Sequence, residues 1–132
     1  MTELINAYNT TEYKVYSPTL VIKIGIVNQE LNDLLISVNA STWAYITAFN
    51  PFSKILTKAD NMKRHEELKV KITNYKFFEG EGVGEDKEWE PELSLLIIGI
   101  PINESIEIGK VYEQNAIVVG EINGVPELKM LV

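Results

Sequence analysis

The run Leu93-Ser-Leu-Leu-Ile-Ile-Gly-Ile100, stopped by Pro101, is the most hydrophobic stretch of the chain. Its apolar residues do not alternate with polar ones, so as a strand it is apolar on both faces. Such a strand belongs in the middle of a sheet, and the remainder of the chain has to provide its neighbours and its covers. A second apolar strand is legible in Trp43-Ala-Tyr-Ile-Thr47, which is aromatic and β-branched and carries no charge. It runs into Phe49-Asn-Pro-Phe-Ser53, where Asn50 suits a turn, Pro51 fixes φ and Ser53 is placed to cap the next element. A buried strand that ends in a polar loop ahead of a helix is a common setting for a site.

The flanking segments fall into place around these two. Residues 2–9 read as a short helix, with Leu4, Ile5 and Tyr8 at helical spacing. Residues 12–16 and 19–26 read as two strands parted by Ser17-Pro18. Tyr13 and Val15 are assigned to opposite faces of the first, and Leu20, Ile22, Ile24 and Ile26 to one face of the second. Asn28 is positioned to cap a helix over residues 29–38, striped by Leu31, Leu34, Leu35 and Val38. Thr57, with Asp60 three residues on, opens a helix reaching about residue 74, and Asn61, His65, Leu68 and Ile72 share its inward face.

Residues 75–78 make a short strand. Gly80, Gly82 and Gly84 then interrupt an acidic segment over residues 79–92, read as a loop pinned by Trp89. Asn103 is placed to cap a helix from Glu104 to about Glu113. Residues 116–119 form a strand, and Asn123-Gly124 is a hairpin signal leading to a last strand over 127–131. The sum is an α+β (mixed α/β) fold. It is expected as a single-layer sheet, mixed or largely antiparallel, of about six strands packed with three main helices, with residues 1–132 as one domain.

Charge and composition narrow the function classes. The chain has 132 residues, no cysteine and a formal net charge of -7. Without cysteine there is no disulfide and no thiolate metal site, which fits a reducing compartment. The start lacks the basic and apolar regions of a signal peptide, and no uncharged apolar run approaches the roughly 20 residues that span a bilayer. A cytoplasmic location is therefore expected. Most of the negative charge lies between Glu79 and Glu92, where seven acids stand against Lys87 alone. Arg64 is the only arginine, and no basic stripe exists to meet phosphates, so nucleic acid is not an expected ligand.

Several of these polar positions form a pattern: Thr47-Ala-Phe-Asn-Pro-Phe-Ser53, Asn61, Glu79-Gly-Glu-Gly82, Trp89 with Glu92 and Ser94, and Gln114-Asn-Ala116. In this order, over about residues 8 to 119, the chain resembles the bacterial domain-of-unknown-function family 3293. The resemblance implies no activity. The departures here are a longer, more acidic loop before Trp89, and Leu93 in place of a proline.

Two function classes are open to these residues. In the first, Thr47, Asn50, Ser53, Asn61, Glu92, Ser94, Gln114 and Asn115, all near element ends, converge in an amide-rich cleft for a small polar or heterocyclic ligand. Glu92 is then the ligand anchor or the general base. In the second, the chain is a non-enzymatic interaction module, and Glu85, Asp86, Glu88 and Trp89 of the acidic loop meet a basic partner protein. A weaker third idea makes the acidic loop a mimic of nucleic acid. Neither a cofactor nor a metal is expected, because the acid spacing is not that of an EF-hand and no His or Cys cluster accompanies it.

Each candidate also has a structural reading. Asn50 and Ser53 serve as turn and cap residues, and Asn61 as a buried amide bonded to that turn. His65 is a packed core histidine, Glu92 a capping or pairing acid, and Asn115 a left-handed helix end. Asn50 and Asn61 are expected in direct contact or bridged by one water.

Overall fold

The structure is a computed structural model that describes residues 2–132. In chain order it comprises α1 (Thr2–Asn9), β1 (Glu12–Val15), β2 (Leu20–Ile22), α2 (Gln29–Ser37), β3 (Thr42–Thr47), α3 (Lys58–Lys71), β4 (Lys76–Val83), β5 (Glu92–Ile98), α4 (Ile102–Val111), β6 (Ala116–Glu121) and β7 (Glu127–Met130). The seven strands form one sheet in the order β2-β1-β4-β5-β3-β6-β7. Every pairing is antiparallel, so the sheet is not mixed. The fold is α+β, with seven strands where about six were expected. The apolar strand β5 sits fourth of the seven, at the centre.

Both faces of β5 are covered, as its composition requires. Leu95 and Ile97 join Ala44, Ile46, Ile117 and Val119 on one face, under Leu68 of α3, Ile72 at its C-terminal cap and Ile108 of α4. Leu96 and Ile98 join Tyr13, Val15, Trp43, Tyr45 and Val118 on the other, with Leu31 and Leu35 of α2. The two crossovers interlock. α3 connects β3 to β4 with β5 lying between them, and α4 connects β5 to β6 with β3 lying between them.

The second face is concave. Leu20 and Ile22 from one edge strand and Leu128 from the other reach the same apolar cluster. Gly25 N also donates to Pro126 O at 2.9 Å, bringing the chain after β2 against the chain before β7. α2 plugs one end of this curl. Its side chain Asn32 accepts from Asn123 N at 2.9 Å, tying the plug to the β6–β7 hairpin.

The local signals for the helices act as their chemistry demands. Asn28 Oδ1 accepts from Leu31 N at 2.9 Å and Thr57 Oγ1 from Asp60 N at 3.1 Å, each satisfying a free first-turn donor. Four expectations are corrected. Tyr13 and Val15 share a face, because residues two apart on a strand point the same way. β2 stops at Ile22, since Gly25 turns the chain with φ 82 and Ile26 is exposed. α4 begins at Ile102 after Pro101, with no side-chain cap, and Asn103 lies inside its first turn. Part of the segment read as an acidic loop is strand: β4 runs through Gly80 and Gly82 to Val83, leaving only residues 84–91 as loop. Among the described residues no helix is long and apolar enough to cross a membrane.

Gly80 shows why that strand tolerates glycine. A Cβ built there would lie 1.8 Å from Lys14 O on β1. Gly80→Ala is therefore expected to force β1 and β4 apart and to cost about 1–3 kcal/mol, the range for overpacking a tight site. Urea denaturation checks this; an unchanged midpoint would mean the strands do not approach so closely.

Candidate functional site

The site is built where β3 ends. Thr47 Oγ1 donates to Leu93 O at 2.7 Å and accepts from Phe49 N at 3.0 Å, which bends the chain out of the sheet. Asn50, Phe52 and Ser53 then adopt positive φ values of 48, 49 and 62. Non-glycine residues take that region at a cost of roughly 1–3 kcal/mol each, so the surroundings must hold them there. Side-chain amides supply much of the restraint. Asn50 N donates to Asn61 Oδ1 at 2.9 Å, and Asn61 Nδ2 donates back to Asn50 Oδ1 at 2.8 Å. Leu56 N shares that Asn50 oxygen at 3.1 Å. The expected contact between Asn50 and Asn61 is thus direct.

Further donors complete the turn. Gln114 Nε2 donates to Phe49 O at 2.9 Å, Arg64 Nε to Ala48 O at 2.7 Å, and Asn115 Nδ2 to Ser53 Oγ at 2.8 Å. Ser53 therefore receives a hydrogen bond from Asn115 and does not cap α3; Thr57 does. The last amide donor, Asn50 Nδ2, reaches Glu92 Oε2 at 2.7 Å, and Trp89 Nε1 reaches the same oxygen at 3.2 Å. Glu92 Oε1 has no hydrogen-bond partner among the described residues.

Glu92 stands at the edge of a cavity of about 490 Å³ at the end of the concave face that α2 does not fill. α1 and residues 84–86 flank it, and the ends of β1, β3, β4, β5 and β6 form its floor. The register explains the open space. Gly82 lies directly across from Glu92, so β4 puts no side chain beside the carboxylate. Of the sequence candidates, Thr47, Ser53, Glu85, Asp86, Trp89 and Glu92 line the cavity. Asn50, Asn61, Ser94, Gln114, Asn115 and Glu88 do not. The amides satisfy one another and the backbone behind Glu92, and Ser94 Oγ donates to Glu92 O at 2.9 Å. The cleft is therefore walled by aromatic rings rather than by the candidate amides.

Three of those rings escaped the sequence reading: Tyr8, Tyr13 and Tyr45. Tyr45 shares a strand face with Thr47, which was a usable signal, but placing Tyr13 beside it needed the strand order. Tyr13 and Tyr45 meet edge to face with centroids 5.4 Å apart. Their hydroxyls donate to Tyr8 O and Lys14 O, each at 2.6 Å.

His65 is elsewhere. It is fully buried on α3, and its Nε2 lies 3.0 Å from Glu79 Oε1 on β4. Its Nδ1 has no hydrogen-bond partner among the described residues. A carboxylate at Nε2 calls for the tautomer that carries the proton there, which leaves Nδ1 as a bare acceptor. His65 does not line the cavity.

The carboxyls of Glu92 and Glu79 are tuned in opposite directions. Burial raises the pKa of Glu92, with the hydrogen bonds from Asn50 and Trp89 opposing. The hydrogen bond from His65 lowers that of Glu79, helped by Lys69 and opposed by burial. Burial, and next the negative charge of Glu92, push the Tyr8 phenol up to about 12, against a contact from Asn115. By linkage, the stabilising contribution of Glu92 is fully present below its unfolded pKa and is lost as pH rises through its folded one. That of Glu79 is present above its unfolded pKa and is lost as pH falls through its folded one. A carbon-detected NMR titration should place the Glu92 midpoint above the usual glutamate value and the Glu79 midpoint below it.

Among the described residues, no three His, Asp or Glu side chains are grouped so as to hold a metal ion. No curated protein and no solved structure matches the chain. One family profile does, and its span over residues 46–117 takes in the strained turn, Asn61, Glu92 and the Gln114-Asn115 pair while leaving out α1 and β1. That match covers more than half of the sequence, and the chain belongs to the family described as protein of unknown function (DUF3293).

Proposed function

We propose that the protein binds a small polar or heterocyclic ligand in the cleft between α1 and residues 84–89, with Glu92 as the anchor. One observation carries this reading. The amide network holds one oxygen of a largely buried carboxylate, and the other is unclaimed among the described residues, at the edge of a cavity of small-molecule size. A carboxyl whose proton affinity burial has raised also has the character of a general base, so Glu92 can take a proton from a bound ligand. The reading places the protein in the cytoplasm, consistent with its lack of cysteine, and invokes no cofactor.

The interaction-module reading draws on Glu85, Asp86 and Glu88, which are exposed. Against it, Trp89 is turned inward by its bond to Glu92 and is not presented to a partner.

Glu92→Gln is the test. The glutamine oxygen can accept from both Asn50 and Trp89, and its NH₂ replaces the unpartnered oxygen, so the fold should hold. A small molecule retained from a metabolite mixture by the unmodified protein, seen by native mass spectrometry, should be lost by the variant. A stable variant with unaltered retention would reject the reading. Neutralising Glu85, Asp86 and Glu88 together should leave stability nearly unchanged. Capture of a basic partner that this triple change abolishes would support the interaction module instead.

A further inference from the structure

We infer that the ligand of this cleft is an organic cation: a protonated amine, a quaternary ammonium or a protonated heterocycle carrying an apolar group. The inference rests on the cleft reading and adds the class of ligand. Its basis is the chemistry of the wall. Glu3, Glu85, Asp86 and Glu92 line the cavity, and among the described residues no lysine, arginine or histidine does. An anion would meet four acids without a counter-charge. A neutral ligand could accept a hydrogen bond from none of these acids once ionised and could at most donate one to them, gaining nothing from their summed charge.

The rings supply the second half of the argument. Tyr8, Tyr13, Tyr45 and Trp89 line the same space, and aromatic faces attract cations most strongly where water is excluded. The phenols are neutral at physiological pH, and burial holds their protons on more firmly still, so the rings add no competing charge. Trp89 and Glu92 are also joined: the indole N–H sits 3.2 Å from Glu92 Oε2. A cation that pairs with the free Oε1 is therefore brought against an aromatic ring whose position that hydrogen bond sets. Carboxylate and ring act on one charge, while the tyrosines and Val118 receive its apolar part.

The test uses probes of matched shape: phenethylamine and benzyltrimethylammonium as cations, 2-phenylethanol as the neutral form and 3-phenylpropanoate as the anion. Binding is read by ¹⁵N–¹H NMR at the Trp89 indole, assigned by its loss in Trp89→Phe, and by calorimetry. The cations should shift that resonance and bind about tenfold or more tighter than the alcohol, with the acid weakest. Glu92→Gln should remove the preference for the cations while leaving the weak alcohol binding. Glu85→Gln with Asp86→Asn, on exposed loop positions, should weaken cation binding severalfold and reduce its salt dependence.

Alcohol or acid binding as tight as the cations, with the same indole shift, would overturn the cation inference and leave the cleft reading standing. Cation shifts confined to residues 85–88, unaffected by Glu92→Gln, would overturn it as diffuse attraction to the loop. If no probe moves the Trp89 resonance at millimolar concentration, both the inference and the cleft reading fall.

Discussion

Leu96→Ala should lower stability by about 2–5 kcal/mol, the range for emptying a fully enclosed leucine site. Leu96 is 0% exposed. It lies on the central strand, opposite Tyr45 on one neighbour and Phe78 on the other. Its side chain faces the concave cluster, where the strands on both sides limit how far the walls can relax into the space. Much of the loss should therefore persist as a cavity. Chemical denaturation measures the effect, with Val70→Ala on the exposed side of α3 as a control expected to change little. A midpoint close to that of the unmodified protein would contradict the central position of β5.

Asn50→Ala should cost roughly 2–5 kcal/mol, because one small side chain serves several ends. The change leaves Asn61 Nδ2 and Leu56 N without their acceptor and takes from Glu92 one of its two donors. It also puts alanine at φ 48, where asparagine is better tolerated. Asn50→Gly separates these effects. It removes the backbone cost, so it should recover about 1 kcal/mol relative to alanine while the hydrogen-bond loss remains. Either variant should raise the Glu92 pKa further, since a bond that favours the charged form is gone. Near-native stability for Asn50→Ala would show that the amide network is incidental to the turn.

The sequence and the tertiary structure each account for identifiable parts of the site. Asn28 and Thr57 as caps, the inward face of α3, the Asn123-Gly124 hairpin and the buried β5 were all legible. Each rests on neighbours within one or two turns of chain, where spacing and residue type decide the outcome. The acidic glycine segment was misread for the opposite reason. Glycine and charge argue locally for a loop, but β4 is paired on both sides, and Gly80 is where β1 leaves no room for a side chain. The candidate residues included the acid and the tryptophan that line the cavity, beside amides that do not. Sequence marks polar residues at element ends; it does not say which of them will satisfy each other.

What this sequence determined by itself was a sheet with a doubly covered central strand, the helices that cover it and a polar turn after β3. Only the tertiary structure decided the strand order and the curl. Those two place Tyr8, Tyr13, Tyr45, Trp89 and Glu92 around one space. These residues come from three separate stretches of the chain, and the stretches come together through burial of apolar area summed over the whole sheet, which no local pattern encodes.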